Sequence, residues 1–206
     1  MGIFKRSNEM NLKFNLDSQS AKKTQYEVPS AGGSIARLYR IIDLGTQQTT
    51  YLGESKMTPQ VMLVFELPSE LTKDGKPMSI SSIYTKSLNE KAKLRGVVKA
   101  LTGSNITDDN VRNFNLQDLI GKVCTLDIIN KTGKDGTVKA YVQNVSSALK
   151  GMPVPEPHNE TLIFDLSEFN KEVFDKIPAY WQNKIQTTKE YDAVAVRHGR
   201  TDEVPF

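Results

Sequence analysis

The sequence predicts a mainly β protein with one main helix, and three observations lead to this fold class. Five stretches are rich in β-branched and aromatic residues or alternate between apolar and polar residues. Gly, Pro and Asp-Gly turn signals separate these stretches. Between the third and fourth stretches the apolar residues instead recur at helical spacing. The 206 residues suit one domain of ordinary size with extensions.

Three strands are predicted before the helix, over residues 34–44, 60–67 and 78–86. Gly45 ends the first strand, and a long polar loop is expected over residues 46–58. In the second strand every other residue is strongly apolar, which indicates a buried face formed by Val61, Leu63, Phe65 and Leu67.

The main helix is predicted to begin at Ser87, because Ser87 and Glu90 have the spacing of a capping box. Gly103 is the predicted end of this helix. A short second helix is expected from Asp108 to about Phe114. The apolar face of the main helix consists of Leu94, Val97, Val98 and Leu101.

The last two strands are predicted over residues 122–130 and 137–145, on either side of a hairpin loop that contains Asp135-Gly136. The order of three strands, a helix and two strands is that of the OB-fold, a five-stranded Greek-key barrel that binds oligonucleotides on one face and in its loops. Other small α+β folds share this order of elements. The barrel domain is predicted over residues 34–150.

The regions outside the barrel are predicted to be extensions. Residues 1–33 are mostly polar and are expected to form a flexible arm. Residues 151–192 are expected to hold a proline-rich linker and a short helical extension, with a short strand or docking segment at residues 162–164. This extension is too small to fold alone, so it is expected to pack on the barrel or on a neighbouring subunit. Residues 193–206 are the predicted tail.

Charge is distributed unevenly along the chain. The predicted barrel holds sixteen Lys and Arg against eleven Asp and Glu, a net charge of +5. Residues 151–206 hold six against ten, a net charge of −4. A basic middle followed by an acidic end suits a polyanion-binding domain with a tail that the domain can hold or release. Ordinary surface charge is the alternative, because +5 over this length is mild.

Several kinds of site find no support in the sequence. One cysteine, Cys124, and two histidines argue against a zinc site, and the alternation around Cys124 predicts a buried residue. No phosphate-loop or nucleophile motif is present, so we expect neither an enzyme nor a cofactor. No apolar run approaches the roughly 18 residues of a membrane span, and the first residues lack an apolar signal core. A soluble cytoplasmic protein is expected.

Binding to a nucleic-acid single strand needs cations along the phosphates and aromatic rings on which bases stack. In the fifth strand, Lys139 and Tyr141 alternate with apolar residues and are expected to face outward together. In the first strand, Arg37 and Tyr39 are expected to share a face. For both tyrosines the alternative is packing beneath the C-terminal extension. The predicted nucleic-acid-binding residues are Arg37, Tyr39, Arg40, Tyr51, Lys56, Lys86, Lys131, Lys134, Lys139 and Tyr141.

The chain ends with Asp202, Glu203, Val204, Pro205 and Phe206. This ending resembles the acidic tail of bacterial and phage single-stranded DNA-binding proteins. The resemblance implies that these five residues bind replication and repair partners, through an aromatic anchor and acidic side chains. The tail departs from that pattern in having only two acids near its end, with Arg197, His198 and Arg200 just upstream.

Short segments also resemble a family of phage-encoded proteins of this length. The resemblance implies an OB-fold protein that binds single-stranded DNA in a phage replication and recombination module. It does not supply the contact residues. The segments run through residues 36–38, 42–46, 65–68, 84–88, 119–122 and 164–166.

The function expected from the sequence is non-catalytic coating of single-stranded DNA, with replication and recombination proteins recruited through the C-terminal tail. The oligomeric state is open, a homo-oligomer included. One alternative is a recombination mediator that anneals complementary strands. Another is a barrel that binds a protein and no nucleic acid, and a nuclease ranks third.

Overall fold

A computed structural model describes residues 27–51, 53–104, 106–153 and 156–197. Within these ranges the expectation of a mainly β protein is confirmed, because six strands form one open sheet and only short helices accompany it. The strands are β1 (Gly32–Tyr51), β2 (Glu54–Leu71), β3 (Pro77–Thr85), β4 (Val123–Thr132), β5 (Val138–Ser147) and β6 (Leu162–Phe164). Five of them lie side by side in the order β3-β2-β1-β4-β5, each antiparallel to its neighbours. The short β6 pairs with β1 in parallel.

The helices lie between β3 and β4 and after β6. They are α1 (Lys93–Thr102), α2 (Asp108–Val111), α3 (Lys171–Asp175), α4 (Ala179–Gln186) and α5 (Lys189–Arg197), with a 3₁₀ turn at Leu116–Leu119. No helix of the described residues is long and apolar enough to cross a membrane.

The main helix, α1, begins later than the capping-box spacing predicts. Its N-cap is Ala92, which has no side chain that could cap the helix. The Ser87 hydroxyl instead accepts a hydrogen bond from the Asn89 backbone N–H, so it closes a local turn directly after β3. The predicted end is confirmed, because Gly103 adopts φ 68° and donates to the Lys99 carbonyl.

The long polar loop predicted over residues 46–58 is wrong. This segment is a two-stranded ribbon in which β1 and β2 stay paired from Thr46 opposite Pro59 to Tyr51 opposite Glu54. Hydroxyl groups face each other across the ribbon, with Thr49 Oγ1 lying 3.1 Å from Thr58 Oγ1. Threonine favours strands, and a ribbon exposed on both faces needs no apolar alternation, so its polar sequence resembled a loop.

The main core lies between the curved sheet and α1. Alternate residues of β1 and β2, with residues of β4, point inward and meet the apolar face of α1, which is buried as predicted. Cys124 belongs to this core, and burial raises the pKa of its thiol to about 12. Fully buried members include Leu38, Leu63, Phe65, Leu67, Val98, Leu119 and Leu126.

A second apolar cluster covers the opposite face of β1 and β2. Ile42, Leu44 and Met62 point outward there and are buried by the C-terminal extension. The extension therefore packs on the sheet, with β6 paired to β1 and the rings of Phe164, Phe169 and Phe174 in mutual contact. Its last helix, α5, runs to Arg197 and so enters the segment predicted as tail. Residues of the extension in this cluster are Leu162, Phe164, Leu166, Phe174, Ile177, Ile185 and Tyr191.

Candidate nucleic-acid interface

A groove of about 1030 Å³ lies where β3 and β5 face each other at the two ends of the sheet. In the described residues these strands lie close together but do not pair. Residues 79–81 of β3 form one wall, and residues 135–141, from the β4–β5 hairpin and β5, form the other. The groove is completed by Glu27, Val28, Pro29, Lys73 and Asn130.

An exposed aromatic ring with cations beside it lies on the β5 wall. Ala140 and Val142 pack on the main core, so Tyr141 points outward, with 46% of its surface exposed. The Lys131 ammonium lies 5.6 Å from the centroid of the Tyr141 ring. Lys131 faces Lys139 directly across the β4–β5 pair. A ring for stacking and the Lys139 cation thus line the groove, and the Lys131 cation lies beside the ring.

Arg37, predicted to contact nucleic acid, is instead buried in an ion pair. Its Nη1 donates to Glu66 Oε1 at 2.8 Å, and the Glu66 side chain is fully buried. Glu66 Oε2 accepts two further hydrogen bonds, from the backbone N–H and the side-chain amide of Asn159. Burial alone would raise the pKa of Glu66, but the hydrogen bonds from Asn159 and Arg37 together lower it. Glu66, paired with Arg37, therefore holds Asn159 and the residues before β6 to the sheet.

Tyr39 is also buried, which departs from the expectation of an exposed stacking ring. Only 6% of its surface is exposed, and its hydroxyl lies 2.9 Å from Ser79 Oγ of β3. A β-bulge lies at this point, because Leu38 pairs with Phe65 and Arg40 with Val64, which leaves Tyr39 as the extra residue. Tyr39 still lies on the outer face with Arg37, because its ring reaches over β2 to the outward-facing Ser79, and the bulge brings Arg40 to the same face beside this ring.

Lys86 is already paired, in contrast to the free cation expected from the sequence. Its ammonium contacts the Asp43 carboxylate at 2.5 Å. Burial would raise the pKa values of Asp165 and Glu190, but hydrogen bonds and the positive charge of Lys86 lower both. Lys86 thus joins the sheet to the C-terminal extension by offsetting the charges of nearby carboxylates.

The segment at residues 46–58 and the β4–β5 hairpin, which hold the predicted binding residues Lys56 and Lys134, are not brought together at the groove. Lys56 is exposed on the ribbon, and Lys134 is exposed in the β4–β5 hairpin next to the groove. Along β2, Lys56 is eight residues from Val64, which is opposite the groove residue Ser81, and this corresponds to roughly 27 Å of strand. The structure does not describe the Tyr51 side chain or the predicted partner-binding residues 202–206.

Several polar residues of the groove were not predicted from the sequence. Ser79 and Ser81 line the β3 wall, and Lys73 lies in the β2–β3 turn. Lys73 is only loosely paired, with its ammonium 3.9 Å from a Glu27 carboxylate oxygen. Asn130 donates to the Pro29 carbonyl and so fixes the chain entering β1. The outward alternation of the two serines was the available signal.

The groove thus offers the cations of Lys73 and Lys139 and the ring of Tyr141, with the carboxylates of Glu27 and Asp135 also in its lining. No protein-family model matches the chain, and no curated protein matches it as a relative.

Proposed function

We propose that this chain binds single-stranded DNA in the groove, without catalysing a reaction. The observation that carries the proposal is Tyr141, an exposed ring flanked by Lys131 and Lys139 on the wall of the groove. Bases of any sequence can stack on such a ring while the lysines neutralise the phosphates, so binding would tolerate sequence. The resemblance of short segments to phage-encoded single-stranded DNA-binding proteins points in the same direction.

The sheet order supports an OB-fold as the finer description of the barrel. In an OB-fold, five strands form a Greek-key barrel that binds oligonucleotides on one face. Here the terminal strands of the order β3-β2-β1-β4-β5 face each other, with the main helix between β3 and β4 in sequence. The ligand face would be narrower than usual, because the C-terminal extension covers the outer side of β1 and β2 around Ile42 and Met62.

Coating of single strands in a phage replication and recombination module is the biological role that we infer. The residues Asp202–Phe206 would recruit partner proteins through their acids and terminal aromatic ring. Several subunits bound side by side along one DNA strand would also bind it more tightly than a single barrel with a net charge of +5 can.

The test is fluorescence anisotropy with a labelled oligo(dT) of about 30 nucleotides, longer than the usual footprint of one barrel. We expect binding to the single strand to exceed binding to duplex of the same length, and to weaken as salt increases. Tyr141→Ala should weaken binding roughly 5- to 150-fold, the range of one lost stacking contact of about 1–3 kcal/mol. Tyr180→Ala is the matched control, because Tyr180 is 63% exposed on α4.

Two outcomes would count against the proposal. If the full chain fails to bind oligo(dT) at low salt, single-strand binding is wrong, and a barrel that binds only protein becomes the better description. If Tyr141→Ala and Tyr180→Ala bind oligo(dT) equally well, the DNA does not bind in the groove. Acceleration of pairing between complementary strands would instead identify an annealing protein.

A further inference from the structure

Arg40 carries a guanidinium group that lacks an acceptor. Its carbon Cζ lies 5.1 Å from the centroid of the Tyr39 ring, a cation–π contact. Its Nε is buried and has no hydrogen-bond partner, and no described carboxylate pairs with this side chain. The Nε itself is closed to a ligand, but Arg40 is only half-buried, and its other guanidinium N–H groups also have no acceptor among the described residues, so they are available to an acceptor that a ligand supplies.

The neighbouring arginine shows what a satisfied guanidinium looks like on this face. Arg37 faces Glu66 across the β1–β2 pair and forms a buried ion pair with it. Arg40 faces Val64 instead, which offers no acceptor. Both arginines lie on the outer face of the same two strands, so the difference arises from their partners on β2 rather than from their location.

Arg40 lies on a path that leads out of the groove. Arg40 faces Val64, and Val64 faces Ser81, which lines the groove. The distance across three neighbouring β-strands is about 10 Å. A DNA single strand that leaves the groove over β3 and β2 therefore reaches Arg40 next. Beyond Arg40 the C-terminal extension begins, because Leu162 of β6 pairs with Arg40. Arg40 therefore marks the border of the open sheet face.

We propose that Arg40 binds one backbone phosphate of the single strand and that Tyr39 positions it. This proposal rests on the proposed function. A guanidinium presents paired N–H donors that match two oxygens of one phosphate, and a phosphate is present at every nucleotide whatever its base. The Tyr39 ring, held by the contact of its hydroxyl with Ser79 Oγ, keeps the guanidinium in place instead of stacking on a base.

The salt dependence of oligo(dT) binding tests this assignment, measured with the full chain between about 50 and 200 mM salt. Each phosphate contact on a single strand contributes about 0.7 to the slope of log affinity against log salt. Arg40→Gln should lower the magnitude of this slope by about 0.7 and weaken binding. Lys189→Gln removes one exposed charge from α5 and should leave the slope unchanged.

Two further variants separate phosphate binding from a folding defect. Arg40→Lys keeps the charge but loses the paired donors, so we expect the slope to be retained with an affinity several-fold lower. Tyr39→Phe keeps the ring and removes the Ser79 contact, so its loss should be smaller than that of Arg40→Gln. The double variant should then bind no worse than Arg40→Gln alone, because both changes act through one contact.

The outcomes distinguish this inference from the proposed function. If the wild-type chain does not bind oligo(dT), both fail. If it binds and Arg40→Gln keeps the wild-type slope, the groove remains the binding site but the phosphate assignment is wrong. A lower affinity with an unchanged slope would also contradict it, since Arg40 would then contact a base. If Arg40→Gln does not fold, equal binding by Arg40→Lys and wild type overturns the inference.

Discussion

Two arginines three residues apart show how strongly the partner residue decides what a side chain does. Arg37 and Arg40 lie on the same face of β1, yet one is buried against Glu66 and the other has no carboxylate partner among the described residues. The Glu66 carboxylate is satisfied on both oxygens, by Arg37 and by Asn159. A buried charge is tolerated when it is paired and hydrogen-bonded in this way.

Glu66 should make the stability of the protein depend on acid pH. Its pKa in the folded protein lies below the ordinary value of 4.5, so folding favours the ionised form. The stabilisation is then complete above pH 4.5 and is lost as the pH falls through the lowered folded pKa. Glu66→Gln should cost about 3–5 kcal/mol at pH 7, because Arg37 is left buried without its charge partner. Urea unfolding at pH 7 and at decreasing pH measures both effects.

The exposed ribbon carboxylate of Glu54 provides the control for this experiment. Glu54→Gln should leave both the stability and its pH profile close to those of the wild type, because Glu54 has no described side-chain partner. Part of the acid sensitivity should remain in Glu66→Gln, since Asp165 and Glu190 also have lowered pKa values. A Glu66→Gln variant with the stability and pH profile of the wild type would show that the buried pair contributes nothing.

At the scale of the elements, the close approach of β1 to the C-terminal extension depends on one glycine. Gly45 has φ 66° at a register shift of β1, and a Cβ atom there would lie 2.9 Å from Thr188 Oγ1 and 3.0 Å from Leu166 Cδ2. Gly53, at the tip of the ribbon, also has positive φ, but a Cβ there meets nothing within 4 Å. The two positions therefore share the backbone requirement and differ in crowding.

Gly45→Ala should destabilise the protein more than Gly53→Ala. The left-handed backbone costs a non-glycine residue about 1–2 kcal/mol at either position. Crowding against Thr188 and Leu166 should add about 1–3 kcal/mol at Gly45 alone. Urea unfolding of both variants measures the difference. Equal losses would mean that the extension moves away from β1 at little cost, so that its packing there is loose.

Much of the element order followed from the sequence, because periodicity reports burial directly. The inward alternation of β2 and the apolar face of α1 were predicted for this reason. The ribbon was missed because a strand pair exposed on both faces leaves no apolar period. The start of α1 was misplaced because the Ser87 hydroxyl can close a turn as readily as cap a helix.

The candidate site was predictable only where the strand alternation is regular. The outward position of Tyr141 followed from its alternation with the buried sides of Ala140 and Val142. In β1 the bulge at Tyr39 shifts the alternation by one residue, and no local sequence signal marks it. The pairing of Arg37 with Glu66 joins residues that are 29 positions apart, so only the register of β1 against β2 reveals it.

At the scale of the whole molecule, the described part of the chain forms two apolar clusters that share β1 and β2. Residues of β1 and β2 alternate between the main core and the cluster beneath the C-terminal extension. Neither cluster can lose these strands without exposing the other. The extension also binds the sheet through β6 and through Asn159 on Glu66. Such shared elements favour a single cooperative unfolding transition over separate unfolding of the extension.

This cooperativity can be measured because the only tryptophan, Trp181, lies in α4 of the extension and packs on its cluster. Tryptophan fluorescence therefore reports the extension, whereas far-ultraviolet circular dichroism is dominated by the sheet. We expect both signals to give the same urea midpoint within error.

Phe164→Ala should lower that shared midpoint by removing about 3–5 kcal/mol of stability, because Phe164 is buried between sheet and extension. An exposed residue of the same extension, Tyr180, gives the control variant Tyr180→Ala, which should change the midpoint little. A fluorescence transition at lower urea than the circular dichroism transition would instead show an extension that detaches from a folded sheet, and the outer face of β1 and β2 would then be available to ligands.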